Sequence, residues 1–374
     1  MKFIDLKRQY CLIKRAIDKN IQTVLDHGQY IMGPEVEELE RRLADWVGVR
    51  HCITLSNGTA ALLVALLALA IGPGDEVITS SFSFFATAET IIFLGAKPVF
   101  VDIDSRTYNI EPSQIELAIT ERTKAIVPVS LYGQCSNVTV IDAIAHRYGL
   151  PVIEDGAQSL GATHWGRQSC GLTTIGCTSF FPSKPLGCYG DGGACFTNDN
   201  VLAEKMRLIR NHGQQTRYRH IQIGLNVRFD TLQAAILLAK LEVFSEELKR
   251  RQQVAKWYSQ KLSDYLVTPY IETGNISTFA QYTVRMERRE EVRAALTNAG
   301  IPTAVHYPQP LHKQPAIQNY LREDYSYPEA EIASQQVLSL PFHPYLTEKI
   351  VDQVCEELLN IVLINENTHL LKVS

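Results

Sequence analysis

The chain has 374 residues, of which 45% are hydrophobic and 20% are charged, and its formal net charge is -4. This length suits a large domain together with a smaller one, and the composition argues against widespread disorder. A negative net charge disfavours a general nucleic-acid-binding protein, because such proteins usually carry a basic surplus.

Neither a membrane segment nor a metal site is indicated by the sequence. Residues 1–10 lack the apolar core of a signal peptide. The longest apolar run, Ala60–Ile71, covers about 12 residues, whereas roughly 20 are needed to cross a bilayer. The eight cysteines, which include Cys170, Cys177, Cys188 and Cys195, lack the close pairs of zinc knuckles. We therefore expect reduced thiols in a cytoplasmic protein, without a metal.

Short apolar runs alternate with helical stretches in the first half of the chain. The predicted strands are His51–Leu55, Glu76–Thr79, Pro98–Asp102, Ala125–Leu131, Pro151–Glu154, Ser179–Phe181 and Ala194–Thr197. The predicted helices between them are Ala60–Ala70, Ala86–Leu94 and Val140–Tyr148. Strands separated by helices are typical of a mostly parallel sheet that is covered on both faces, so we predict an α/β fold.

The second half begins with a long helical stretch, Thr231–Leu262, and then changes its pattern. The predicted elements that follow are Ala280–Met286 (strand), Arg289–Ala299 (helix), Thr303–His306 (strand) and Thr347–Leu359 (helix). This order predicts a large domain over residues 1–245 and a small α+β domain over residues 246–374. We expect the N-terminal arm, residues 1–30, to pack on the small domain, and we assign no role to residues 361–374.

Lys184 is the first candidate for chemistry. It lies between a predicted strand and a glycine-rich loop that includes Gly187, Gly190, Gly192 and Gly193. A lysine held near apolar or cationic groups loses proton affinity and becomes a nucleophilic amine suited to bonding a carbonyl carbon. The alternative is a surface lysine on a turn, which other candidate residues in the sequence disfavour.

Asp155 is the second candidate, at the end of a predicted buried strand. Open α/β sheets bind their ligands at such strand ends. A carboxylate at this place can pair with a protonated pyridine nitrogen, and Gln158 can donate a hydrogen bond to a ring oxygen. Asp155 could equally cap a helix, but capping does not explain the lysine loop.

A possible anion site precedes the predicted helix that starts at Ala60. Ser56, Asn57, Gly58 and Thr59 combine small polar side chains with the free N–H groups of a helix N-terminus. Ser179, five residues before Lys184, could supply another hydroxyl to the same anion. Taken alone, the motif is more often a plain N-cap.

Three of these motifs resemble one enzyme family. Ser-Asn-Gly-Thr at 56–59, Glu-Asp-Gly-Ala-Gln-Ser at 154–159 and Ser-Phe-Phe-Pro-Ser-Lys-Pro-Leu-Gly at 179–187 resemble the nucleotide-sugar aminotransferases of fold-type I. The similarity extends from Phe3 to about Asn360. It implies pyridoxal phosphate as the cofactor, a seven-stranded type of sheet in the large domain, and a homodimer with shared active sites.

The resemblance also implies a role for each site residue. Lys184 corresponds to the lysine that bonds the cofactor, Asp155 to the partner of the pyridine nitrogen, and Gln158 to the partner of the phenolic oxygen. The phosphate ligands correspond to Gly58, Thr59 and Ser179, with Asn226 supplied by the second subunit. Phe84 corresponds to an aromatic residue that stacks on the ring, although it could equally be a core residue. Gly156 departs from the alanine of many relatives, a small change that should leave Asp155 undisturbed.

The substrate is inferred from further segments, 126–135, 280–286 and 303–308. These resemble family members that use L-glutamate to aminate the 3-keto group of UDP-2-acetamido-2-deoxy-3-oxo-D-glucuronate for bacterial surface polysaccharide, or O-antigen. Two carboxylates and a diphosphate call for cationic groups, with arginine preferred for planar carboxylates. Arg228 is the first candidate, followed by His212, His306 and Tyr307, and each could instead be a surface or interface residue.

Other functions are less well supported by the sequence. A different keto nucleotide sugar, such as a 4-keto-6-deoxy sugar, remains the alternative substrate. Sugar dehydratases on this scaffold have histidine in place of the lysine, and position 184 is lysine. A nicotinamide-dependent enzyme would need a Gly-x-Gly-x-x-Gly motif after an early strand, which is missing. A regulatory protein of this fold would usually lose the lysine or add a DNA-binding segment.

Overall fold

The computed structural model describes residues 1–321 and 325–373, with side chains described as far as Leu363. In this part of the chain the helices are α1 (Leu6–His27), α2 (Pro34–Val47), α3 (Gly58–Ala68), α4 (Ala86–Phe93), α5 (Pro112–Ile115), α6 (Val138–Tyr148), α7 (Asn200–Arg210), α8 (Thr231–Leu262), α9 (Arg289–Asn298), α10 (Pro315–Leu321), α11 (Pro328–Gln336) and α12 (Glu348–Val373). The strands are β1 (His51–Leu55), β2 (Glu76–Ser80), β3 (Lys97–Val101), β4 (Thr123–Val127), β5 (Ile153–Asp155), β6 (Thr163–His164), β7 (Arg167–Gln168), β8 (Ile175–Ser179), β9 (Gly193–Thr197), β10 (Gln214–Thr216), β11 (Arg219–His220), β12 (Asn275–Ile276), β13 (Tyr282–Arg285) and β14 (Val337–Leu340). Among the helices of the described ranges, none combines the length and the apolar character that a membrane crossing needs.

A large sheet organises the first half of the chain. Two ladders, β3-β2-β4 and β5-β8-β9-β1, are joined by parallel bridges from Ile126 to Val152 and from Val129 to Asp155. The strand order is therefore β3-β2-β4-β5-β8-β9-β1, and β9 runs antiparallel to both of its neighbours. The prediction of an α/β fold with a mostly parallel sheet is confirmed.

The carboxyl edge of this sheet gathers the ends of several strands. Because β1, β2, β5 and β8 run in one direction, the residues that follow them meet at the same edge. Asp155 is the last residue of β5 and Ser179 is the last residue of β8. α3 starts three residues after β1. Open α/β sheets bind their ligands at this edge.

Two hydrophobic cores lie at opposite ends of α8. In the core under the sheet, α8 contributes Ala234, Leu237, Leu241 and Phe244. In the second core it contributes Val254, Ala255, Tyr258 and Leu262, which pack with β13, β14, α9 and α12. A separate core contains α3, whose apolar residues are buried on nearly every side, as expected of a helix with an apolar surface all round.

α1 lies along α8 on the outside of the molecule. Asn20 donates to the carbonyl oxygen of Ala235 at 3.0 Å, and Gln9 donates to the buried carboxylate of Glu247 at 3.0 Å. At the start of the chain the carbonyl oxygen of Phe3 accepts from the N–H of Phe342 at 3.1 Å. The N-terminal segment thus contacts α8 along much of its length and touches the second core at its beginning.

Three predicted strands need correction. Ser179–Phe181 is wrong, because the strand is Ile175–Ser179 and the buried ring of Phe180 packs in the core from a loop. Ala125–Leu131 runs too far: the strand ends at Val127, before Pro128 and a 3₁₀ turn at Leu131–Gly133. Thr303–His306 is not a strand, since only Ala304 pairs with a neighbour, Ser339.

Candidate active site

Lys184 stands on a tightly closed loop that follows β8. Its backbone N–H donates to the carbonyl oxygen of Phe181 at 2.9 Å, and Cys188 N–H donates to the carbonyl oxygen of Phe180 at 2.8 Å. The side chain is half-buried, and no hydrogen bond to its Nζ is found among the described residues. Burial lowers the pKa of Lys184, while the charge of Asp155 opposes that shift. A larger share of the amine is therefore uncharged and nucleophilic than in a solvated lysine.

Asp155 is buried at the end of β5 and is held by two hydrogen bonds. Thr87 Oγ1 donates to Oδ2 at 2.8 Å, and the N–H of Ala157 donates to Oδ1 at 3.2 Å. Burial raises the pKa of Asp155, and these two donors and the charge of Lys184 act in the opposite direction. Two accepted bonds leave further lone pairs of the carboxylate for a cationic N–H.

Gln158, Tyr307 and His306 lie beside this pair. Gln158 Nε2 donates to the hydroxyl of Tyr307 at 3.0 Å, and its Oε1 accepts from the N–H of Tyr132 at 2.8 Å. Burial, followed by the charge of Asp155, raises the pKa of Tyr307. Burial and the charge of Lys184 lower the pKa of His306 to about 4, so its ring is neutral at pH 7. The structure therefore brings these side chains and the Lys184–Asp155 pair into one cleft.

Gly58 and Ser179 meet where α3 begins. A Cβ atom at Gly58 would lie 2.7 Å from the Cβ of Ser179, a distance too short for any other residue type. Asn57 caps the helix by accepting from the N–H of Ala60 at 2.7 Å. The cap thus satisfies one N–H, while the N–H groups of Gly58 and Thr59 lie in the first turn, where a helix offers no internal acceptor. Together with the hydroxyl of Ser179 they form a cradle for an anion.

Phe84 lies on the open side of the cleft. Its side chain is 56% exposed, so it is not a core residue, and this answers the alternative left open by the sequence. The centroid of its ring lies 6.1 Å from that of Tyr307. An exposed aromatic ring at the mouth of a polar cleft is well placed to cover a flat ligand.

Asn226, Arg228 and His212 lie on a different segment. Asn226 forms an isolated bridge with Asn211, and Arg228 Nη1 donates to the side-chain oxygen of Asn211 at 3.2 Å. Asn226 and His212 are exposed. Val227 links this segment to the α3 side of the site, because its carbonyl oxygen accepts from Ser56 N–H at 3.0 Å. Within the described ranges no hydrogen bond joins the three residues to Lys184 or Asp155.

Two residues of the site were not predicted from the sequence. Thr87 donates to Asp155, and the N–H of Tyr132 donates to Gln158. Thr87 stands in the same Ser81–Thr87 segment as Phe84, one helical turn further on. The spacing could have predicted that Thr87 lies near the site, because residues one turn apart lie on the same side of a helix. The contact of Tyr132 comes from its backbone and leaves no mark in the sequence.

The cleft fits pyridoxal phosphate, the cofactor that the sequence resemblance implies. Gly58 leaves open a space beside Ser179 that any side chain would fill, and Gly58 is also the first residue of α3. The half-buried amine of Lys184 and the carboxylate of Asp155 are close enough for each charge to shift the pKa of the other. These groups can hold a phosphate, a carbonyl carbon and a pyridine nitrogen, respectively.

Comparison with known proteins agrees with this arrangement. The DegT/DnrJ/EryC1/StrS aminotransferase family matches residues 12–359. The chain is 59% identical to a Pseudomonas aeruginosa protein named UDP-2-acetamido-2-deoxy-3-oxo-D-glucuronate aminotransferase, over 96% of this chain and all of that protein. A crystal structure of a DegT DnrJ EryC1 StrS aminotransferase from Brucella abortus has a TM-score of 0.93 and 42% identity, covering 97% of this chain and 99% of that one. The ntda structure from Bacillus subtilis, with bound cofactor PMP, has a TM-score of 0.88 and 33% identity, covering 94% and 82%. The chain therefore belongs to the DegT/DnrJ/EryC1/StrS aminotransferase family.

Proposed function

We propose that this chain is a pyridoxal-phosphate-dependent aminotransferase that moves the amino group of L-glutamate to the 3-keto group of UDP-2-acetamido-2-deoxy-3-oxo-D-glucuronate. The observation that carries the proposal is that the Lys184 amine and the Asp155 carboxylate meet at the carboxyl edge of the sheet, close enough for each charge to shift the pKa of the other group. The choice of sugar is supported by the 59% identity to the Pseudomonas aeruginosa protein that bears this substrate in its name. PMP, found in a relative's structure, is the aminated form of pyridoxal phosphate, which supports the cofactor.

Lys184 and Asp155 have the central roles in this proposal. When bound, pyridoxal phosphate withdraws electrons from the carbon that loses or gains the proton. Asp155 keeps the pyridine nitrogen protonated, because a buried carboxylate beside it favours the positive charge. The free amine of Lys184 removes the α-proton of glutamate and later delivers a proton to C3 of the sugar. The lowered pKa of Lys184 suits a group that must both accept and release a proton, because it raises the share of the uncharged amine.

The remaining cofactor contacts fix orientation. Gly58, Thr59 and Ser179 hold the phosphate at the N-terminus of α3, where the helix dipole also favours an anion. Gln158 binds the phenolic oxygen, and its own position is set by Tyr307 and the N–H of Tyr132. Phe84 covers the exposed face of the ring.

The substrate contacts come from the edge of the cleft. Arg228 has a buried Nε without a hydrogen-bond partner among the described residues, which supports its role in binding a carboxylate. His306 and Tyr307 lie beside Lys184 and Asp155. The exposed His212 lies close to Asn226, because its N–H donates to the carbonyl oxygen of Leu225 at 2.8 Å. The neutral ring of His306 can donate or accept a hydrogen bond at a sugar hydroxyl without adding charge.

We also propose a homodimer in which Asn226 of each subunit contacts the cofactor phosphate of the other. The segment around Asn226 carries exposed apolar side chains, among them Ile223 at 95% and Tyr218 at 79% exposure, which favours an interface. Mixing an inactive Lys184→Ala protein with an Asn226→Asp protein tests the arrangement. Activity that exceeds that of both separate proteins is expected, because one site of each mixed dimer has both native residues. No gain after subunit exchange would contradict it.

The amination itself is tested with purified protein, glutamate and a panel of keto nucleotide sugars. Release of 2-oxoglutarate with the 3-keto glucuronate sugar, ping-pong kinetics, and loss of both the cofactor's visible absorption band and the activity in Lys184→Ala are expected. Turnover of a 4-keto-6-deoxy sugar alone would replace the proposed substrate. A protein that stays colourless with added cofactor would refute the reaction class.

We place the reaction in the cytoplasm, as a step that supplies sugar for surface polysaccharide or O-antigen. Support comes from the substrates, because both a UDP-sugar and glutamate are cytoplasmic metabolites. Deletion of the gene is expected to accumulate the keto sugar inside the cell and to remove the amino sugar from the polysaccharide. An unchanged polysaccharide composition would contradict this placement.

A further inference from the structure

Lys240 is a buried cation to which the proposed reaction assigns no role. It lies on α8 with 1% of its surface exposed and ranks among the largest fully buried side chains. Among the described residues it forms no ion pair with a carboxylate. Burying an ammonium without a counter-charge is costly, so its contacts must compensate for that cost.

The ammonium group has two compensating contacts. Nζ donates a hydrogen bond to the carbonyl oxygen of Gly187. It also lies 4.2 Å from the centroid of the Tyr189 ring, within the range of a cation–π interaction. Burial lowers the pKa of Lys240 to about 8, against the opposing influence of Cys188 and Glu247. The group therefore stays mostly protonated at pH 7.

Both contacts belong to the loop that carries Lys184. Gly187 follows Lys184 by three residues. A Cβ at Gly187 would stand 2.6 Å from the carbonyl oxygens of Phe181 and Pro182, so the loop is closed without spare room. A hydrogen bond that fixes the carbonyl group of Gly187 therefore also limits the movement of the turn that carries the Lys184 side chain.

α8 holds the same loop at a second place. Gln233, two helical turns before Lys240, lies on the same face of the helix. Its Oε1 accepts from Tyr189 N–H at 2.8 Å, and its Nε2 donates to the carbonyl oxygen of Tyr189 at 3.3 Å. On α1, the ring of Tyr10 lies 6.2 Å from that of Tyr189. The loop is thus attached to a long helix rather than left as a free surface turn.

We propose that Lys240 is a positioning residue for Lys184: by binding the carbonyl of Gly187 it fixes the loop so that the Lys184 amine points at the cofactor. This inference rests on the proposed function. The Nζ of Lys184 has no hydrogen bond among the described residues, so the position of the amine depends on the backbone beneath it. Lys240 acts through that backbone and touches neither cofactor nor substrate.

The test measures how fast cofactor-free protein bonds pyridoxal phosphate at Lys184. Samples are reduced with cyanoborohydride at set times, and the modified peptide is quantified by mass spectrometry. Lys240→Met preserves the length of the side chain without its charge or donor, and Lys240→Arg preserves both. Lys256→Met is the matched control, since Lys256 is exposed on the same helix. Circular dichroism and thermal unfolding check that each variant is folded.

Lys240→Met is expected to slow the bonding about tenfold, the size typical of a lost hydrogen bond from a charged donor. In the loaded enzyme, kcat should fall while KM for glutamate changes little. Lys240→Arg should recover most of the rate, and Lys256→Met should match the wild type. If Lys240→Met does not fold, Lys240→Gln is measured in its place with the same expectation.

A folded Lys240→Met protein with the wild-type bonding rate and kcat would overturn the inference. Lys184→Ala separates this failure from that of the proposed function. If Lys184→Ala prevents bonding but Lys240→Met leaves it unchanged, only the positioning role is lost. If the wild type is modified at no single lysine, or at one other than Lys184, the proposed function fails as well.

Discussion

The hydroxyl of Thr87, on the first turn of α4, donates a 2.8 Å hydrogen bond to Oδ2 of Asp155 at the end of β5. The bond crosses from a helix to the sheet and stabilises the charged form of Asp155, opposing the rise in pKa that burial causes. Thr87 in turn lies 3.2 Å from the hydroxyl of Ser83. Thr87 thus influences the charge of Asp155, on which the proposed chemistry depends.

Thr87→Val tests this relationship. The loss of the donor is expected to raise the pKa of Asp155 further, so activity on the acid side should disappear at a higher pH than in the wild type. We expect kcat to fall about tenfold near pH 6 and less near pH 8, as for the loss of a hydrogen bond to a charged group. The measurement is kcat against pH with saturating cofactor.

Thr90→Val is the control for Thr87→Val, because the buried hydroxyl of Thr90 on the same helix donates, among the described residues, only to the backbone oxygens of Ala86 and Thr87. Its pH profile should follow that of the wild type. If the Thr87 and Thr90 variants had identical pH profiles, the effect of Thr87 on the pKa of Asp155 would not explain the loss of activity.

Gly58→Ala tests the anion cradle. Its new Cβ would meet the Cβ of Ser179 at 2.7 Å and push the start of α3 away from β8. We expect the cofactor to bind more weakly by about 1–3 kcal/mol, the usual cost of overpacking a close contact. Absorption titration with pyridoxal phosphate measures the change. Gly72→Ala serves as the control, because a Cβ there meets nothing within 4 Å, and equal affinity of both variants would contradict the cradle.

Arg228→Lys tests carboxylate binding. Lysine keeps the charge but lacks the planar pair of donors, so KM for glutamate should rise about tenfold while kcat changes less. Initial rates over a range of glutamate concentrations measure this split. Arg250→Lys, an exposed position on α8, should leave KM unchanged. A rise in KM shared by both variants, or by neither, would argue against a specific role for Arg228.

His343 predicts an acid-sensitive stability. Its ring is buried and accepts from Tyr345 N–H at 3.2 Å, and burial lowers its pKa to about 4. The unfolded chain, with an ordinary histidine pKa, binds the proton first as pH falls. Stability from this group is thus complete above about pH 6.5 and is lost progressively toward pH 4.

His343→Asn keeps an acceptor for the same N–H and removes the titration. Between pH 7 and pH 5 we expect the wild type to lose ~1–2 kcal/mol more of its unfolding free energy than the variant does. Urea unfolding at the two pH values measures the difference. Equal losses in both proteins would show that His343 does not titrate on unfolding.

Much of the sheet and its catalytic edge followed from the sequence. Asp155 was placed at a strand end and Lys184 on a loop, because buried parallel strands leave continuous apolar runs that stop abruptly. The long helix Thr231–Leu262 was predicted with the bounds that the structure shows. A long stretch of residues that favour helices, such as this one, is the kind of element whose bounds are easiest to predict from sequence.

Other elements left weaker signals. α1 buries only Gln9, Ile17 and Val24 among its 22 residues, so its apolar periodicity was too sparse to identify. In the sequence, Thr87 cannot be distinguished from any other threonine on a helix, and Lys240 cannot be distinguished from a solvent-exposed helical lysine. Their importance comes from partners that lie 68 and 53 residues away in sequence, and no local pattern records such contacts.

α8 has 32 residues and therefore extends for about 48 Å at 1.5 Å per residue. Its first half is anchored under the sheet and its second half in the other core. If the partners of either half of α8 unfolded, the apolar face of that half would be exposed to water. The other half belongs to the same continuous helix and would lose support as well. The two cores should consequently melt together in a single cooperative transition, and a fragment cut near residue 245 should be insoluble on either side of the cut.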